Sequence, residues 1–218
     1  MMLKRHFPRL LCIGILLFSA SIPVRANNKL PAVDSVLQAG FPVRHSDLEK
    51  LTTALFEEYT QQKNVTSLIF YAYGMLKLAN HYDTVNDIVK AAEYAKLGFF
   101  YLDEAVDLHE SDSRVRYLRA RVDAWLPAKL GRCVITLHDT AQLLAAKESL
   151  LDDLIPDVSY MRYRALYLCG QHQQAAALLT QIKVQHPTLK LLSLENNAAP
   201  EWKVNEVAQI ILPLVEGG

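Results

Sequence analysis

The chain has 218 residues, 51% of them hydrophobic, and its 23 Lys and Arg balance 23 Asp and Glu. That apolar content suffices for a packed core and excludes a disordered chain. The absence of any basic excess gives no reason to expect nucleic acid or anionic lipid as a partner.

The first 26 residues place Lys4, Arg5 and Arg9 ahead of an apolar run from Leu10 to Ile22 and end in Val24-Arg25-Ala26. This is the three-part plan of a secretory signal peptide cleaved after Ala26. The run is shorter than the roughly 20 residues of a membrane span; an uncleaved anchor is the alternative. Cys12 precedes most of the run, a poor place for a lipid-modified terminus. Cleavage leaves residues 27–218 as a single domain of 192 residues. Four cations and no acid leave with the signal, so 19 basic residues face 23 acidic ones, a net of −4. No second long apolar run follows, so the mature chain is expected to be soluble, without a stable membrane span.

Residues 27–43 contain Pro31, Gly40 and Pro42 and read as an extended entry segment. Ser46-Asp47-Leu48-Glu49 has the spacing of a capping box. The helix after it is predicted to run to about Gln61, with Leu48, Leu51, Leu55 and Tyr59 on one face. A second is predicted over Thr66–Asn80 and a third over Val85–Leu108, the latter closed by the polar run His109 to Ser113. Another spans Arg114–Leu126 and stops at Pro127. A turn at Leu130-Gly131-Arg132 precedes a helix over Cys133–Ala146. Pro156 suits the first turn of the next helix, which ends near Cys169. Gly170 turns the chain into a helix ending near Gln185, and Pro187 follows it. Asn196 to Glu201 reads as a loop, and a closing helix is predicted over 203–214. No alternating strand pattern of useful length appears, so the fold class is all-α, built of antiparallel helix pairs.

The stretch CGQHQQAAALLTQIKVQHP, with its turn at Gly170, Ala175 and Leu179 along the helix and Pro187 at its end, resembles the second half of a tetratricopeptide repeat unit. Ile182 stands where that family prefers alanine. Gly98, Leu102, Ala105 and Leu108 repeat the small–large–small spacing, with Glu110 where the family has proline. A third pair, with RARVDAWLP and then Gly131-Arg132, has the same helix–turn–helix plan and is similar to small exported bacterial repeat proteins, some associated with transporters. The resemblance covers residues 64–187 and implies an α-solenoid (superhelix) of stacked helix pairs.

In such a stack Cys133, starting the second helix of one unit, and Cys169, ending the first helix of the next, lie at the same edge. A Cys133–Cys169 disulfide is therefore expected, with two small buried thiols as the alternative. Cys169 and His172 lack an orienting third residue for nucleophilic catalysis, and no ligand set of about four supports a metal. No cofactor and no catalytic residue are expected. His138-Asp139 and the acidic pairs Asp103-Glu104 and Asp152-Asp153 read as solvated, and Asn64-Val65-Thr66 as a chance glycosylation match. In the resembled family, first helices line a concave groove that binds peptides or partner proteins. Arg116, Arg119, Tyr160, Tyr163 and Tyr167 fall on such helices and form the expected groove. The resulting expectation is a non-catalytic, periplasmic scaffold or adaptor for another envelope protein or peptide. The alternatives are a transporter accessory holding a ligand within the helical stack, and an enzyme with a dispersed site.

Overall fold

A computed structural model describes residues 29–146, 154–194 and 199–217. The signal-peptide reading of residues 1–26 and the Asp152-Asp153 pair lie outside these described residues. Ten α-helical segments, α1 to α10, are described, with 3-10 turns between some of them, and no strand occurs among the described residues. The all-α expectation holds.

The chain opens with a helix instead of an extended segment: α1 spans Pro31–Ala39. Proline costs nothing in a first turn, where its missing N–H has no helical partner. Ala32 N–H donates to Glu58 Oε2 at 2.9 Å, so a buried carboxylate faces the positive end of the helix. The Ser67 hydroxyl donates to the other oxygen of Glu58 at 2.7 Å. Val33 and Val36, one turn apart, are buried and seat α1 in the core.

Helix α2 spans His45–Gln62, with Arg44 as its N-cap and no side-chain capping bond. The expected Ser46 capping box is not formed: the N-cap falls two residues earlier, at Arg44, whose Nε donates to Asp47 Oδ2 at 2.6 Å across the first turn. Helix α3, Val65–Thr84, is apolar on nearly every side and is packed by both α2 and α4. Asn64 caps it, accepting from Thr66 N–H at 2.9 Å, and its amide donates to the carbonyls of Leu214 and Val215. Asn64 is buried in these roles, which fits the chance reading of its glycosylation match.

Helix α4, Ile88–Leu108, crosses α3 most closely at Gly98. A Cβ there would lie 2.8 Å from Leu76 Cγ and 3.1 Å from the Ala72 carbonyl oxygen. The small residue in the Gly98–Leu102–Ala105 pattern is what lets these two helices touch. Helices α5 (Ser113–Asp123) and α6 (Cys133–Ala145) form the next pair, and α7 (Ile155–Leu168) and α8 (His172–Gln185) the one after. Each packs against its neighbours in sequence, as a helical-repeat stack requires. Gly170 takes φ 76°, and Gln171 N–H reaches back to the Leu166 carbonyl at 2.9 Å, closing α7 with a left-handed cap.

After α8 the chain does not extend the stack. Segments α9 (Val204–Glu206), a π-helical turn (Val207–Ile211) and α10 (Leu212–Gly217) fold back onto α5 and α3. The wide turn precedes Pro213, which has no N–H to return to the preceding turn. Replacing Gly98 by valine is expected to force α3 and α4 apart against a backbone oxygen and cost about 1–3 kcal/mol. Thermal melting checks this; an unchanged midpoint contradicts the close packing.

Candidate functional site

Helix α5, SRVRYLRARVD, reads as a solvated basic helix, yet all four of its arginines have acidic partners and three of them are buried. Arg116 is 7% exposed. It donates from Nη1 to Asp139 Oδ1 at 3.0 Å and from Nη2 to the Glu110 carbonyl at 3.1 Å. Arg119 forks onto both oxygens of Asp139, at 2.8 Å each, and reaches Asp103 at 3.1 Å. Arg132, just before α6, forks onto Asp103 at 2.8 and 2.7 Å and donates from Nε to Asp123 at 2.9 Å. Three guanidinium groups and three carboxylates therefore form one continuous relay across α4, α5 and α6. Bidentate pairs of this kind are the strong ones.

A second cluster faces the other way. Arg121 donates from Nε to Glu206 Oε1 at 2.8 Å and from Nη2 to the carbonyls of Pro200 and Glu201. Its guanidinium lies 3.7 Å over the Trp202 ring, and Tyr117 donates to the same Glu206 oxygen at 2.7 Å. Lys203 pairs with the buried Asp157 of α7. The C-terminal segment thus supplies the anion that neutralises the far face of α5.

These placements correct three expectations. Arg116 and Arg119 leave the groove that they were expected to line, because a guanidinium buried in this core is held by carboxylates and not by a partner. Asp139 is fully buried, whereas His138 beside it is exposed, as adjacent helical positions pointing apart require. Asp103 is half-buried above two buried arginines, so it is not simply solvated. The tyrosines also divide. Tyr160 is buried near Trp125 and Tyr163, at 6.4 and 5.3 Å between ring centroids. Tyr163 is half-buried, and Tyr167 is 56% exposed with its ring against His172. The five residues do not share one surface.

The cysteines behave as expected. Cys133 and Cys169 are joined by a disulfide with their Cα atoms 5.6 Å apart. The bond ties the start of α6 to the end of α7, the edge where antiparallel packing brings the two together. Closing a loop across a separation of 36 residues stabilises by roughly 4 kcal/mol. His172 has no role in it.

Among the described residues no group of three or more His, Cys, Asp and Glu side chains is placed to hold a metal, and no helix is long and apolar enough to cross a membrane. Two open surface hollows lie along α4 and the turn after it. One, of about 370 Å³, is lined by Phe100, Asp103, Glu104, Asp107 and Leu108. The other, of about 630 Å³, runs from Asp107 to Asp112. Sequence reasoning passed over this edge because Asp103-Glu104 carries no motif; its signal was two large apolar residues, Phe100 and Leu108, spaced two turns apart among acids.

No family model matches the chain, and neither a curated protein nor a solved structure matches it.

Burial pushes the Asp123 carboxyl up to about 7, against the pull of Arg132, and its Oδ1 lacks a hydrogen-bond partner. A carboxyl raised in the folded state contributes stability that is whole below its unfolded pKa and lost as pH rises through the folded one. Asp123 therefore makes the protein progressively less stable as pH rises from about 4 to about 7. Asp103 and Asp112 are lowered by their arginines and act only at more acid pH. Asp123→Asn is expected to flatten the fall in unfolding free energy between about pH 4 and pH 7, measured by denaturant titration. An unchanged slope contradicts the assignment.

Proposed function

We propose that this chain is a non-catalytic, tetratricopeptide-like scaffold or adaptor that binds another protein in the bacterial periplasm. The observation that carries the reading is how the side chains are apportioned. The interior ionisable groups of α4, α5 and α6 are spent on one another, while large apolar side chains such as Phe100, Leu108 and Tyr167 stand at the surface. Exposed apolar side chains rimmed by polar ones are what an interaction surface requires. The packing of successive helix pairs supports the repeat-family resemblance. The half-exposed Cys133–Cys169 disulfide supports export, since such bonds persist in oxidising compartments.

Chemical crosslinking in intact cells, followed by purification from the envelope fraction, tests this. The expected result is one partner protein crosslinked in stoichiometric amount. No crosslinked protein, together with a small-molecule mass retained by the purified chain, favours the accessory role in which a ligand is held within the stack.

A further inference from the structure

Resting on that scaffold reading, we propose that the outer edge of α4, from Phe100 to Leu108, docks a basic amphipathic segment of the partner protein. Phe100, Glu104, Asp107 and Leu108 follow the spacing that puts side chains on one helical face. Phe100 is 59% and Leu108 61% exposed, at the two ends of the 370 Å³ hollow. The second hollow shares Asp107 and Leu108, so the two form one continuous trough. The Phe100 ring meets Tyr101 edge-on at 5.1 Å, which holds it against the helix.

The charge of the trough selects the occupant. Glu104 and Asp107 have no ion-pair partner among the described residues, and Glu110 carries the same sign into the second hollow. Asp103 is fixed in place by Arg119 and Arg132 from below. The cations on this side are Lys63, which stands over the ring of Tyr59, a neighbour of Glu104, then Lys96, one turn before Phe100, His109 in the turn, and Arg114, which is bound to Asp112. A lysine or arginine of the partner sets its charged end between Glu104 and Asp107 and lays its methylenes along Phe100 and Leu108. Apolar residues one turn away on that segment cover the two exposed side chains. An acidic segment meets like charge and is rejected.

The test uses the chain without residues 1–26 and a fluorescent 16-residue amphipathic peptide of lysine and leucine, with a glutamate–leucine peptide as control. Anisotropy titration is expected to show binding of the basic peptide alone, weakening as salt is raised. Phe100→Ala, and separately Glu104→Gln with Asp107→Asn, are each expected to weaken it by about tenfold or more. Phe100 and Asp107 are exposed and Glu104 is half-buried without an ion pair, so the circular dichroism of the variants should match that of the parent. Equal binding by the variants overturns the proposal, as does no binding of the basic peptide. A dimer of the parent chain that Phe100→Ala dissociates also overturns it, by assigning the edge to a second copy. Repeating the envelope crosslinking with Phe100→Ala separates the two readings. A partner retained by the variant leaves the scaffold standing and removes this edge; no partner with the parent chain removes the scaffold, and the peptide titration still decides the edge.

Discussion

The buried relay from Asp139 through Arg119 and Asp103 to Arg132 and Asp123 is the constraint on which the architecture depends. A helix as rich in arginine as α5 cannot enter a core unless its charges are met, because an unpaired buried ion costs several kcal/mol. Its own residues supply only Asp123. The other anions come from α4, from α6 and, on the far face, from Glu206 near the C-terminus. Each guanidinium has a fixed planar fork, so pairing sets the register of three helices along with their charge balance. Buried ion pairs replaced by apolar side chains of similar volume often leave a fold no less stable, so the pairs matter here for how they constrain α4, α5 and α6 rather than as a surplus of stability.

The same requirement accounts for the end of the chain. Stacking another repeat on α8 would leave Arg121 unmet. Folding back instead places Glu206 against Arg121 and Tyr117, and stacks Trp202 on Tyr73 with ring planes 6° apart. Tyr73 in turn donates to the Leu118 carbonyl, so α3, α5 and the C-terminal segment close as a unit. The disulfide fastens α6 to α7 at the next interface along. On the outside, Asp103 is where the relay reaches solvent, so the floor of the α4 trough is set by pairs buried beneath it.

Much of the fold was legible in the sequence. Helices α2 to α8 follow apolar spacings of three and four, and Gly131 and Gly170 mark turns that do adopt positive φ. The cysteine pairing was expected from the stack that the repeat resemblance implies, with two buried thiols as the alternative, and the disulfide is present. Helix α1 was missed because Pro31, Gly40 and Pro42 read as punctuation, when Pro31 begins the helix. The relay was missed for a different reason. Arg116 and Arg119 signal a basic face, and the acids that meet it lie 16 to 23 residues away on separate helices. Local pattern registers the charge of a residue but not the partner that a fold will bring to it. That is why the arginines looked like a binding groove and proved to be interior, while the exposed edge of α4 had no motif to announce it.

Equilibrium unfolding of Asp139→Ala beside Asp107→Ala tests the central claim most directly. Asp139→Ala leaves buried Arg116 without a carboxylate and Arg119 with Asp103 alone, and is predicted to cost about 3–5 kcal/mol, against about 0.5 kcal/mol or less for the surface change. A loss below about 1 kcal/mol at Asp139, the size of a solvated pair, would contradict the account.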